Sequence, residues 1–391
     1  MNRPLLNRRL SGMGTTIFAE MSALAVATGS INLGQGFPDT DGPREIAQAA
    51  ADAVLQGRGN QYPPGAGIPE LRQAIAEHQK RFYGLAVDPD TEVLVTAGAT
   101  EAIAAAMLAL LEPGDEVIAL EPYYDSYAAC IAMAGATRIP VTLRPPSFRP
   151  DLGALADAVT GRTRLILLNS PHNPTGMVLT REELTTIAEL AVERDLIVVT
   201  DEVYEHLVFD GEHIPIASLP GMRDRTASIS SAGKTFSFTG WKVGWVTGTA
   251  PMVSAVRTAK QFLTYVSSGP FQYAVATGLG MPDAFYASLA ADLRRKRDLL
   301  AAGLARAGFD VFTPQGTYFI TTDISPLGEQ DGVEFCRTLP RRCGVVAIPN
   351  AVFYDDAQAG RSQVRFAFCK KDEVLADAAA RLARLARLAA G

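Results

Sequence analysis

From Glu92 onward, short apolar runs alternate with longer stretches whose apolar residues recur at helical spacing, the pattern of parallel strands joined by crossover helices. It predicts strands over Glu92–Thr96, Glu116–Leu120, Leu165–Leu168, Leu196–Thr200, Thr226–Ser230 and Val243–Gly248. Gly98-Ala99-Thr100 reads as a tight turn opening a helix over Glu101–Leu111, which Pro113-Gly114 stops. Another helix opens at Thr180, where Thr180 and Glu183 stand at capping-box spacing. After Pro282 the texture changes. A long charged amphipathic helix over Phe285–Ala307 is followed by short strands around Val311–Phe312, Tyr318–Thr322 and Val364–Phe368. A closing helix over Asp372–Leu388 is rich in the strong helix formers Ala, Leu and Arg. The expected fold class is therefore α/β, with a mainly parallel sheet between helices in a large domain over 36–281. A smaller α+β domain follows over 282–391, and 1–35 forms an N-terminal arm and small-domain segment.

A chain of 391 residues exceeds what one hydrophobic core normally serves, which agrees with two domains. With 48% hydrophobic and 20% charged residues it falls among soluble globular proteins, and disorder is excluded. A formal net charge of −6 argues against a nucleic-acid partner, whose phosphates demand an excess of Lys and Arg. Cys130, Cys336, Cys343 and Cys369 show no C-x-x-C spacing, so they read as reduced thiols, with neither a disulfide framework nor a metal expected. The first ten residues carry Arg3, Arg8 and Arg9 without a signal-peptide core, and no run approaches the roughly 20 apolar residues of a membrane span. A cytoplasmic protein is expected.

Five segments carry candidate chemistry. Ser230-Ser231-Ala232-Gly233-Lys234-Thr235 ends a strand and sets a lysine among small residues, open to approach. An amine nucleophile needs its uncharged form, which a partly desolvated, cationic pocket favours. Val198-Val199-Thr200-Asp201-Glu202-Val203-Tyr204 carries an acid to the carboxyl end of a strand, where open α/β sheets bind ligands. A buried acid there needs a cationic partner, such as a protonated pyridine nitrogen. Asn169-Ser170-Pro171-His172-Asn173-Pro174-Thr175-Gly176 has prolines that fix the backbone, so that Asn169 and Asn173 are held for hydrogen bonding. Gly98-Ala99-Thr100 opens a helix whose N–H groups and dipole suit a phosphate. Val364-Arg365-Phe366-Ala367-Phe368 buries an arginine whose planar fork matches a carboxylate. Any one of these alone is an ordinary loop, cap or turn, so the weight lies in the set. No G-x-x-x-x-G-K-[ST] or G-x-G-x-x-G follows a strand, which removes the common nucleotide-binding readings.

Taken in order, these segments resemble the class I/II aminotransferases of pyridoxal 5′-phosphate (PLP) fold type I, the aspartate aminotransferase-like fold, over essentially the whole chain. Ile31 to Asp39, Tyr62-Pro63-Pro64 and Ser231 to Trp241 look most like the kynurenine, methionine and N-succinyldiaminopimelate aminotransferases. The resemblance implies that Lys234 forms the Schiff base with PLP and moves the proton between the substrate α-carbon and the cofactor. Asp201 would pair with the pyridinium nitrogen, Asn173 and Tyr204 would bond the phenolic oxygen, and Tyr124 would stack on the ring. The phosphate would be held by Gly98, Ala99, Thr100, Ser231 and Lys242, with Tyr62 reaching across from a second subunit of a homodimer. Arg365 would clamp the substrate α-carboxylate with help from the Gly36 backbone and Asn169. Phe18 stands where the kynurenine enzymes carry a tryptophan, and Ser267-Ser268 stand where they carry Phe-His. These replacements weigh against kynurenine and leave room for a longer polar substrate, though no second arginine for a dicarboxylate is identifiable. The implied activity is amino-group transfer from an L-amino acid to a 2-oxo acid with ping-pong kinetics. A C–S β-lyase of the cysteine-conjugate type is the alternative, because the same carbanion can expel a β leaving group. A PLP-binding transcription factor would need a winged helix that this chain lacks.

Overall fold

The computed structural model describes residues 5–11, 13–14 and 16–389. Arg3, and Gly12 and Thr15 of the segment after it, lie outside the described residues. The strands in chain order are β1 (Ile31–Asn32), β2 (Val93–Thr96), β3 (Glu116–Glu121), β4 (Thr137–Thr142), β5 (Thr163–Asn169), β6 (Ile197–Asp201) and β7 (Thr226–Ser231). They continue with β8 (Gly244–Thr247), β9 (Asp310–Phe312), β10 (Phe319–Asp323), β11 (Val345–Val346), β12 (Ile348–Pro349) and β13 (Gln363–Ala367). No helix among the described residues is long and apolar enough to cross a membrane.

Seven strands form one sheet in the order β2-β8-β7-β6-β5-β3-β4. The central run β7-β6-β5-β3-β4 is parallel, as the apolar runs predict, and its inner strands are buried on both faces. β8 departs from that expectation, running antiparallel to both β2 and β7, because an apolar run carries no information about chain direction. β4 is an edge strand absent from the sequence reading. Its Arg138, Pro140 and flanking threonines break the apolar pattern, and an edge position tolerates a proline that a central strand would not. The helix Gly98–Leu110 begins at the supposed turn itself and lays Ala102, Ala105, Ala106 and Met107 against the sheet, small side chains that allow close approach. The helix Arg181–Glu193 opens on Thr180 with both halves of the capping box formed.

A second, antiparallel sheet of order β12-β13-β10-β9 is flanked by the 24-residue helix Asp283–Arg306 and the closing helix Asp372–Ala389. β1 pairs in parallel with β11, Ile31 opposite Val345, and Met21, Ala25 and Leu33 share a core with Phe335, Val346, Ile348 and Phe366. Tyr204 and Val203, from the end of β6, join that same core, so the two sheets meet at the edge where β5, β6 and β7 terminate.

Candidate active site

Three adjacent parallel strands deliver three polar side chains to one edge: Asn169 ends β5, Asp201 ends β6 opposite it, and Ser231 ends β7. Ligands in such sheets bind outside these carboxyl ends. Asp201 is 5% exposed. Its Oδ2 accepts a 2.6 Å bond from the Tyr127 hydroxyl and its Oδ1 a 3.3 Å bond from the Val203 N–H. Burial nevertheless pushes its carboxyl up to about 6, against the bond from Tyr127 and the nearby Lys234 ammonium. Lys234 sits on the single turn Ala232–Thr235 directly after β7. Burial brings its ammonium down to about 8, and Nζ lies 3.5 Å from the Gly36 carbonyl and 5.7 Å from the ring centres of both Tyr204 and Tyr318. At a pKa of about 8 the amine is roughly one-tenth uncharged at pH 7, against about one part in a few thousand for an ordinary lysine, so the free base is far easier to reach.

Beside Lys234 is a set of groups suited to an anion. Gly98 has φ +79°, and a Cβ added there would lie 3.3 Å from the Lys242 Nζ, while one on Gly244 would lie 2.6 Å from the Gly98 carbonyl carbon. Only glycine permits both the left-handed backbone and this close crossing. Ala99 and Thr100 continue the first turn of the helix, Ser231 is buried next to them, and all line the same cavity as Lys242. Tyr124 lines it too and meets Tyr127 edge-on at 5.8 Å.

On the other side Arg365, from the inner strand β13, is 1% exposed. Nη1 donates to Asn173 Oδ1 at 2.9 Å and Nη2 to the Gly34 carbonyl at 3.0 Å, whereas Nε has no partner. The guanidinium lies 3.9 Å over the Phe319 ring and 5.3 Å from that of Phe18. Burial draws it down to about 10, and no carboxylate among the described residues bonds it. The Asn173 amide oxygen being committed to Arg365, its NH₂ is the end left to donate. Asn169 spends both ends on the backbone, Nδ2 on the Asp201 carbonyl at 2.9 Å and Oδ1 on the Asn173 N–H at 2.7 Å. It thereby ties the β5 and β6 ends together, and it lines the cavity with its second amide N–H uncommitted among the described residues. A side chain on Gly36 would strike Phe319 at 2.5 Å, which keeps its backbone open to the site.

These groups line one cavity of about 1250 Å³. Two sequence expectations fall outside it. Tyr62 is 81% exposed and packs edge-on against Tyr265 at 5.5 Å, and neither Ser267 nor Ser268 lines the cavity of its own chain. Ser267 is turned inward to Gln272 at 3.2 Å. The sequence pointed to no second arginine for a distal carboxylate; the structure places Arg9, Arg138 and Arg337 among the residues that line the cavity. Arg138 is paired with Asp355 and Arg337 with Glu20, while the Arg9 guanidinium donates only to the Met133 carbonyl among the described residues. Tyr127 and Tyr318, whose hydroxyl donates to Gly36 at 2.6 Å, were also invisible in sequence, since neither stands in a motif.

Residues 28–382 match the family model "Aminotransferase class I and II". The chain belongs to this family. A probable N-succinyldiaminopimelate aminotransferase of Mycobacterium tuberculosis is 54% identical over 389 residues, covering 97% of this chain and 98% of the relative. The methionine aminotransferase of Escherichia coli is 42% identical, covering 98% and 100%. The crystal structure of the Mycobacterium tuberculosis N-succinyldiaminopimelate aminotransferase superposes with a TM-score of 0.95 at 55% identity, covering 97% of this chain and 100% of that one. A single mutant of the Thermus thermophilus aspartate aminotransferase superposes with a TM-score of 0.90 at 34% identity, covering 98% of this chain and 100% of that one. The protein is thus a PLP-dependent aminotransferase of fold type I, and the relatives named here are transferases rather than C–S lyases.

The residues present fit that cofactor. A buried carboxylate whose pKa is raised calls for a cation such as a ring N–H⁺. The glycine-built helix start with Ser231 and Lys242 offers N–H, hydroxyl and ammonium donors to a phosphate. The buried Arg365, with Nε free, calls for a carboxylate.

Proposed function

We propose that this aminotransferase works through Lys234 as the amine that holds the cofactor and then carries a proton away from the substrate α-carbon and back. The observation that carries it is that Lys234 lines one cavity with Asp201, Tyr204 and Arg365, its Nζ 5.7 Å from the Tyr204 ring centre and within the field of both charged groups. PLP supplies, when bound, a carbonyl that captures an amino group and a ring that takes up the electrons of the broken α-C–H bond. Asp201, steadied by Tyr127, holds the ring nitrogen in its protonated form. Asn173 and Tyr204 donate to the phenolic oxygen, and Tyr124 covers the ring face. Gly98, Ala99, Thr100, Ser231 and Lys242 hold the phosphate. Arg365 binds the α-carboxylate with its two-pronged fork, Asn169 braces Asn173 beside it, and the Gly36 backbone and Phe18 border the substrate. A clamp at the carboxylate and an anchor at the phosphate fix where the α-hydrogen points, which is how geometry becomes rate.

The second part of the proposal is a homodimer with shared sites, in which Tyr62 reaches the phosphate of the neighbouring subunit. Its support is the exposed pair of Tyr62 and Tyr265, packed ring against ring at the surface, with Phe262 of the same segment as Tyr265 also exposed. We further take the amino donor to be long, with a distal carboxylate, of the kind in the name of the N-succinyldiaminopimelate relative. Support comes from Arg9, a cation lining the cavity without a carboxylate partner among the described residues. A cytoplasmic setting accords with four buried, unpaired thiols.

The test is an absorbance spectrum of the purified enzyme before and after kynurenine, methionine, glutamine, glutamate and N-succinyl-diaminopimelate. The expected result is a visible cofactor band that a distal-carboxylate donor bleaches and a 2-oxo acid restores. Bleaching by methionine or kynurenine alone overturns the substrate assignment. A band that persists in Lys234→Ala at its wild-type position overturns the role of Lys234.

A further inference from the structure

The fold gathers three of the chain's four histidines, His78, His206 and His213, with Glu205 and Glu202 on the far side of the segment that carries Tyr204. None of them lines the cofactor cavity. One nitrogen from each of His78 and His206 and one oxygen of Glu205 lie within 4.8 Å of one another. The two Nε2 atoms are 2.6 Å apart, so at least one of them presents a lone pair. Glu205 is anchored by hydroxyl groups on both oxygens, from Tyr83 at 2.7 Å and from Ser230. Buried polar groups normally find partners. Here the His78 Nδ1, both His213 nitrogens and Glu202 Oε1 have none, and His213 stands 3.5 Å from Glu202 out of hydrogen-bond alignment. His78, Glu205 and Glu202 are each 5% exposed or less, while His206 is only partly buried and leaves a way in.

We infer that His78, Glu205 and His206 form a binding site for a divalent transition-metal ion of the Zn²⁺ class, distinct from the cofactor site. Two imidazoles and one carboxylate are the donor set that such ions prefer over Mg²⁺ or Ca²⁺, which favour all-oxygen shells. Tetrahedral coordination at Zn–N distances of 2.0–2.1 Å needs the two nitrogens about 3.3 Å apart. The metal therefore replaces the shared proton and opens the present contact by about 0.7 Å, a movement within reach of the loop-borne His206. Tyr83 and Ser230 orient the ligating carboxylate as outer-shell donors do, and His213 with Glu202 completes the polar surround. Glu205 and His206 follow Tyr204 directly, and Ser230 precedes Ser231. A bound ion would thus fasten the helix Pro69–Tyr83, which supplies His78, to the ends of β6 and β7 on which the cofactor rests. Its role is positioning. Sequence spacing could not disclose it, since the ligands come from a helix and a distant loop.

The experiment is equilibrium dialysis of the chelator-treated holoenzyme against ZnCl₂, with metal content measured per chain, and Co²⁺ substitution read by its visible d–d absorption. One ion per chain, a rise in Tm with ZnCl₂, and loss of the bound ion in both His206→Gln and Glu205→Gln support the site. Cofactor content and circular dichroism of the variants establish that they fold. Failure of the wild-type holoenzyme to retain Zn²⁺ overturns the proposal. So does undiminished retention in the folded His206→Gln and Glu205→Gln variants, which would place the ion elsewhere.

Discussion

The Tyr127 hydroxyl donates to Asp201 Oδ2 at 2.6 Å from a helix on the opposite side of the β6 terminus. A hydrogen bond to an ionised group contributes about 1.5–3 kcal/mol. It also fixes the rotamer of the carboxylate that we assign to the ring nitrogen. Tyr127→Phe is expected to fold normally and to lose roughly 10- to 100-fold in cofactor affinity or kcat/KM. Cofactor titration of the stripped variant checks this, and wild-type affinity would show that Asp201 needs no such support.

Arg365 is charged, fully buried, and bonded among the described residues only to Asn173 and the Gly34 carbonyl. Removing one member of a buried ion pair costs about 2–5 kcal/mol. Arg365→Ala is therefore expected to lower kcat/KM for the amino donor by roughly 30-fold to several thousand-fold, chiefly through KM. The bound cofactor's spectrum serves as the control for folding. An unchanged KM would remove the carboxylate from this site.

Much of this site was legible because its residues stand in short segments whose backbones the sequence constrains. Asn169 and Asp201 each end an apolar run, and a run ending in a polar residue marks a strand terminus at the functional edge, while Ser231 ends the small-residue strand just ahead of Lys234. Arg365 announced itself as a charge inside an apolar alternation. The hidden parts are contacts between segments far apart in the chain. Tyr127 and Tyr318 lie in unremarkable helix and strand contexts, Arg9 looked like part of a plain basic start, and the histidine cluster has no sequence spacing at all. β4 was hidden for a local reason, its proline and arginine.

The cofactor-stripped enzyme should display the cost of its own site. Burial sets the Lys234 pKa at about 8 against an ordinary 10.5. Between those values the unfolded chain binds more protons than the folded one, so stability rises with pH across that window, and the cost is fully present below it. Lys234→Met is thus expected to raise the apoenzyme Tm near pH 7, by on the order of 2–3 kcal/mol in stability, with the advantage fading as pH approaches 10. Asp201 behaves oppositely. Its folded pKa of about 6 exceeds the ordinary 3.8, so its cost appears as pH rises through that interval and is complete above it. Thermal melts of both stripped proteins at several pH values decide the matter, and equal Tm at pH 7 would contradict the burial argument.

Tyr62 cannot serve the cavity of its own chain, being 81% exposed and turned toward Tyr265. If it completes a partner's phosphate site, two inactive variants can repair each other. Tyr62→Asp sets a carboxylate against the phosphate, and Lys234→Ala removes the amine. In a heterodimer of the two, one site joins the intact Lys234 of the first variant to the intact Tyr62 of the second, while the other site carries both lesions. Random mixing of equal amounts makes half the dimers mixed, so activity should return to about a quarter of wild type in a twofold-symmetric assembly. Unfolding and refolding the variants together, against each refolded alone, is the measurement. Recovery no greater than the sum of the separate variants would mean that Tyr62 serves no neighbouring site.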